Sequence, residues 1–174
     1  MNCRGGSHGG CQNTYLPFKL TIENGNMDAI RLFVEFGADF DEVCLDDDDG
    51  NTVLHLAAQN EDCNVLEFAL SKHDINRSNL HGVSPLHFAF LDWLANVEML
   101  IKHGADVNYP KHNMPLFDAV SSRSCREHNE EYIEVLLDSG ADINCKIGKN
   151  QKVDILALAL DPSIRDDTIY KLTS

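Results

Sequence analysis

Apolar residues along this chain fall into short clusters with helical spacing, separated by polar turn residues, rather than alternating as half-buried strands would. Four clusters resemble one another: AIRLFVEF at 29–36, VLEFALSK at 65–72, VEMLIKH at 97–103 and YIEVLLDS at 132–139. Each runs into a similar ending: Phe36-Gly37-Ala38-Asp39-Phe40-Asp41, Lys72-His73-Asp74-Ile75-Asn76, His103-Gly104-Ala105-Asp106-Val107-Asn108 and Ser139-Gly140-Ala141-Asp142-Ile143-Asn144. Ahead of each cluster stands a second apolar segment with its own common opening: Leu16-Pro17-Phe18-Lys19, Thr52-Val53-Leu54-His55, Ser84-Pro85-Leu86-His87 and Met114-Pro115-Leu116-Phe117, with a worn fifth at Val153-Asp154-Ile155-Leu156. These openings, at 16, 52, 84, 114 and 153, lie about 34 residues apart on average. The pattern predicts tandem two-helix units, each with an apolar face that only a neighbouring unit can cover.

Local chemistry agrees with that period. Proline suits a first helical turn, where its missing N–H is not needed, and Thr52 and Ser84 offer cap oxygens to the same turn. Ala57, Ala58 and Ala89 allow close approach between the first helices of successive units. Gly37, Gly104 and Gly140 can take the positive φ that ends a second helix, and the Asp and Asn that follow lead into a hairpin-like finger.

Thr52-Val-Leu-His-Leu-Ala-Ala58 and Ser84-Pro-Leu-His-Phe-Ala-Phe90 resemble the ankyrin signature T-P-L-H-x-A-A, and His103-Gly-Ala-Asp-Val-Asn108 resembles its G-A-D-V-N ending. The likeness spans roughly residues 14–172 and implies an all-α solenoid of about four full repeats plus a decayed fifth (14–45, 46–78, 79–110, 111–146, 147–172), after a flexible glycine-rich segment at 1–13. It also implies that His55 and His87 are structural, their rings bonding neighbouring backbone and the Thr or Ser of the motif. Several positions depart from the pattern. Repeat 1 has Lys19 in place of the histidine, and His73 replaces the turn glycine of repeat 2. Repeat 3 is shortened around Asp92-Trp93-Leu94-Ala95, with Trp93 at the usual glycine place, and repeat 4 carries an insert at Ser121–Asn129.

Charge narrows the functions open to such an array. With 43% hydrophobic and 24% charged residues the chain can build a core, yet 28 Asp and Glu against 14 Lys and Arg leave a net charge of −14. That balance repels phosphate backbones and anionic lipid, so neither nucleic acid nor a membrane is expected as a partner. It favours a monomer, and it suits either simple solubility or a basic segment on a protein partner. No apolar run is long enough to span a bilayer and the N-terminus lacks a signal-like stretch, which predicts a cytoplasmic protein, with the nucleus also open to it, and reduced thiols.

No motif for catalysis or a cofactor emerges. The acidic run Asp46-Asp47-Asp48-Asp49-Gly50-Asn51 does not fit a calcium loop, because the first ligand position would be Leu45 and the last Leu56. Cys3, His8 and Cys11 lack a fourth metal ligand. Cys125-Arg-Glu-His128 has no third group to orient it as a nucleophilic pair. The expected activity is protein binding, not an enzyme and with no cofactor. In plan the chain is similar to the inhibitors of NF-κB, so an inhibitor or adaptor is expected. The alternative is a substrate-recruiting or structural fragment of a larger ankyrin protein.

The resemblance places the partner on finger tips and inner helices. Transferred by register, the contact residues are Asp48, Asp49, Asn51, Gln59 and Asn60 in repeat 2. Repeat 3 supplies Leu80, His81, Val83, Leu91, Asp92 and Trp93, and repeat 4 supplies Lys111, Asn113, Ser121 and Ser122. Apolar Leu80, Val83, Leu91 and Trp93 at such places suggest an interaction patch, unless Trp93 folds back into the shortened turn. Leu100 to Asn108 and Leu136 to Asn144 also match the context that asparaginyl hydroxylases modify in ankyrin repeats, which makes Asn108 and Asn144 candidate modification sites.

Overall fold

The computed structural model describes residues 15–38, 49–71, 74–90, 93–110, 114–121, 129–144, 146–147 and 153–154. Among these, eight helices follow one another in pairs: α1 (Tyr15–Glu23) with α2 (Met27–Glu35), α3 (Val53–Ala58) with α4 (Cys63–Leu70), α5 (Pro85–Ala89) with α6 (Leu94–Lys102), and α7 (Pro115–Ser121) with α8 (Asn129–Asp138). The short first helices stack α1 on α3 on α5 on α7, and in the second layer α4, α6 and α8 stack in turn. The result is the expected all-α solenoid. Phe18, Ile22 and Ile30 from the first pair, Leu54 and Leu66 from the second, Leu86 and Leu100 from the third and Leu116 and Leu136 from the fourth are fully buried in one continuous core.

Each second helix except α4 ends in the same way. Gly37, Gly104 and Gly140 take φ of +86°, +96° and +88°. The glycine N–H and that of the alanine after it then reach back to carbonyls at the helix end, as in Gly104 N–H to Ile101 O (3.0 Å) and Ala105 N–H to Leu100 O (3.0 Å). This is the Schellman termination, which glycine alone adopts without strain. The corresponding position of repeat 2, His73, lies outside the described residues.

Three sets of hydrogen bonds, none of which recurs at every joint among the described residues, together link successive pairs. In the first, His55 Nδ1 accepts from the Thr52 backbone N–H (2.9 Å) and faces Thr52 Oγ1 (2.8 Å), while Nε2 lies 2.9 Å from the Val83 carbonyl. Because Nδ1 is an acceptor, Nε2 carries the proton and donates to Val83. The histidine thus serves as the third-residue partner of a capping box, where Glu or Gln is usual. Ser84 and His87 repeat the local half of this arrangement, at 3.1 Å from the backbone N–H and 2.7 Å from Oγ.

The second set caps the inner helices. Asn60 Nδ2 donates to Ile22 O (2.6 Å) and Glu23 O (3.1 Å), and Asn96 Nδ2 to Ala58 O (3.0 Å) and Asn60 O (2.8 Å). The third runs through the Asp-x-Asn endings. The Asp106 N–H donates to Asn76 Oδ1 and the Asp142 N–H to Asn108 Oδ1, both at 2.8 Å.

Two expectations change. Trp93 occupies the N-cap of α6, the place held by Asn26 and Asp62 in the preceding pairs, rather than the glycine place one residue earlier, and its side chain makes no cap bond. Asp154, expected to open a helix, instead pairs in an antiparallel ladder, β1 (Lys146–Ile147) with β2 (Val153–Asp154), which is a finger between units. The insert at 122–128, the rest of the fifth unit at 155–172 and the segment 1–13 lie outside the described residues.

Replacing His55 by alanine removes its bonds at both ring nitrogens, leaving the buried Thr52 N–H without that acceptor and the Val83 carbonyl with only the Asn79 N–H. A loss of about 2–4 kcal/mol is expected, measured by urea unfolding. The exposed Gln59→Ala should stay within about 0.5 kcal/mol of the parent.

Candidate interaction surface

The finger tips of repeats 2 and 3 are joined into one rigid edge. At its base Asn79, 9% exposed, donates through Nδ2 to Asn51 Oδ1 (2.8 Å) and accepts at Oδ1 from the His81 and Val83 backbone N–H groups, each at 3.0 Å. The Asn79 N–H donates to Val83 O (2.9 Å) and the Gly82 N–H to Asn79 O (3.0 Å), closing the turn with Gly82 at φ +73°. The Leu80 N–H crosses to the Asp49 carbonyl at 2.9 Å, and His81 Nε2 lies 2.8 Å from Asp49 Oδ1. This pair is solvent-exposed, at 62% and 57%, so it orients more than it stabilises.

Leu80 is carried at the top of that edge and is 78% exposed. Its side chain lies over Gly50, where an added Cβ would come within 2.7 Å of Leu80 Cγ and where φ is +65°. The leucine is therefore held upright by a fixed backbone and a glycine floor, with Asp49 and His81 beside it.

Register transfer mixed framework with surface. Asn51 and Asn60 are buried, each 7% exposed, and are spent on Asn79 and on the end of α1. Buried amides in such bonds serve the framework of the array. Val83 is half-buried and its carbonyl receives His55, while Trp93 and Ser121 are also half-buried. Asp49, Gln59, Leu80 and His81 are exposed. Asp48, Leu91, Asp92, Lys111, Asn113 and Ser122 lie outside the described residues, as do Cys3, His8, Cys11, Cys125 and His128. Sequence reasoning missed Asn79. Its signal was the Asn79-Leu-His-Gly82 turn, where Asn supplies an acceptor to N–H groups downstream.

The candidate modification sites differ. Asn108 is engaged at both ends, its Nδ2 donating to Gly140 O (3.0 Å) and its Oδ1 accepting from the Asp142 N–H. Asn144 is exposed, and its backbone N–H donates to Asp142 Oδ1 at 2.9 Å. Among the described residues no three His, Cys, Asp or Glu are grouped to hold a metal, and no helix is long and apolar enough to cross a membrane.

One inner-helix acid is out of keeping with its place. Asp118 in α7 holds the register of Leu56 in α3 and Phe88 in α5, and burial raises its carboxyl above the ordinary range. A raised folded-state pKa means that the native form binds the proton more tightly than the unfolded chain. Asp118 therefore weakens the fold increasingly as pH rises through that window, and the cost is full at neutral pH. Asp118→Asn should raise the urea midpoint at neutral pH, and the gain should vanish once the solution is acidic enough to protonate both states.

The comparisons with known families match this architecture. A model of ankyrin repeats in three copies covers residues 56–147, and a second, of ankyrin repeats in many copies, covers residues 21–70. Both fall on the stacked helix pairs and the fingers that join them, and the chain belongs to the ankyrin-repeat family.

Proposed function

We propose that this ankyrin-repeat protein captures a protein partner on its finger edge and inner helices, and acts inside the cell as an inhibitor or adaptor. Arrays of this kind are protein-interaction modules. The observation that carries the finer reading is Leu80. A large apolar side chain, 78% exposed and fixed at its base by the bonds of Asn79, loses water on contact without first being ordered. Preorganisation of this kind is what lets a small patch bind.

Partner chemistry follows from the surroundings. Asp49 stands beside Leu80, and Asp46, Asp47 and Asp48 immediately precede it in a chain of net charge −14. A segment with an apolar side chain next to lysine or arginine complements that edge, and its association weakens with added salt. Gln59, Trp93 and the neighbouring Leu91 and Asp92 would extend the contact along the inner helices, toward Lys111, Asn113, Ser121 and Ser122.

Capture of partners from host lysate by the tagged protein tests this. Leu80→Ser combined with Asp49→Asn should reduce capture at least tenfold while helical circular dichroism is unchanged, and equal capture by parent and variant overturns the finger reading. For modification, co-expression with an asparaginyl hydroxylase followed by intact-mass and fragment analysis should place added oxygen on Asn144 ahead of Asn108, whose amide is tied to the next repeat. Preference for Asn108 would count against selection by exposure.

A further inference from the structure

The inner helices α3 (VLHLAA), α5 (PLHFA) and α7 (PLFDAVS) hold between them one Asp, Glu, Lys or Arg, and it is Asp118. It stands where α3 has Leu56, 7% exposed, and where α5 has the half-buried Phe88. The Phe88 ring meets the His55 ring of the preceding pair edge-on at 5.0 Å. That register therefore lies on the side of an inner helix that faces the one before, and in α7 it borders α5. Asp118 is half-buried there and keeps part of its surface open.

Among the described residues no hydrogen bond or ion pair reaches its carboxylate, and burial alone raises its pKa. A carboxylate stripped of part of its water and given no partner weakens the fold. The same condition makes it a receptor. An arriving ammonium or guanidinium meets an acid that is already partly desolvated, and gains more than it would at an exposed one. The apolar Phe88 nearby suits the aliphatic stem that carries such a head, and the net charge of −14 draws a basic segment in. Packed helices lie about 8–10 Å apart, a distance that an extended chain covers in about three residues.

We propose that a segment of the protein partner crosses α5 and α7 with an apolar side chain against Phe88 and a lysine or arginine against the Asp118 carboxylate. This rests on the reading that the inner helices take part in capture, and it names the partner group that they hold.

Random linear peptides displayed on phage and selected on the full chain supply the probe. Enriched peptides should carry a lysine or arginine at that spacing from an apolar side chain. Synthetic copies should bind Asp118→Asn at least tenfold more weakly in fluorescence anisotropy, although that variant has the higher urea midpoint. Replacing the peptide's basic residue with glutamine should cost as much against the parent and almost nothing against Asp118→Asn, a coupling that a merely structural role for Asp118 would not produce. The proposal is overturned if no peptide is enriched, if enriched peptides lack the cation, or if glutamine costs the same against both proteins. A lower midpoint for Asp118→Asn would also overturn it, by placing a cation of this chain on the carboxylate. Leu80→Ser separates this anchor from the finger. Binding lost with Leu80→Ser and kept with Asp118→Asn removes the anchor and leaves the finger, whereas the reverse supports the anchor and removes the finger.

Discussion

The solenoid depends most on a histidine that works in two repeats at once. His55 accepts from the Thr52 N–H that begins its own helix and donates to the Val83 carbonyl in the following finger. One neutral, fully buried ring thus sets a helix start and the position of the next unit. Buried polar groups are costly when unmet, so this single side chain couples two elements that local propensity alone would leave independent.

The same economy recurs at the other joints, and it explains how irregular repeats still stack. Asn60 and Asn96 close the carbonyl ends of inner helices in the preceding unit, and Asn76 and Asn108 accept the N–H of an aspartate in the following one. Trp93 supplies no cap to α6, yet Asn96, in the first turn of that helix, anchors it to the unit before. Where the histidine is replaced, by Lys19 at one end and Phe117 at the other, no imidazole can make the inter-unit bond. Asp118 beside Phe117 adds a half-buried charge to the fourth unit. A linear array draws its stability from neighbours, so the central pairs, α3–α4 and α5–α6, form its best-tied part.

That rigid centre is what gives the finger edge its character. Leu80 is exposed because Asn79 and Asn51 beneath it are satisfied by each other and by the turn. The exposed leucines of α1 and α2 have a different character, since Leu20 and Leu32 hold the registers that Leu56 and Phe68 fill in the next pair.

The sequence by itself determined the class of fold and the length of its unit. A period near 34 residues, repeated T-V-L-H and S-P-L-H openings and glycine at helix ends impose the same local structure wherever they occur, and the positive φ of Gly37, Gly104 and Gly140 follows from residue type alone. The structural place of His55 was also legible, because the motif brings its cap partner with it. Only the tertiary structure decided which polar residues belong to the framework. Asn51, Asn60 and Asn79 look like the surface asparagines of any turn, and their burial depends on carbonyls and amides supplied by residues 28 to 38 positions away. No local pattern records that distance, and it is what separates the residues that hold the array together from Asp49, Leu80 and His81, which it presents.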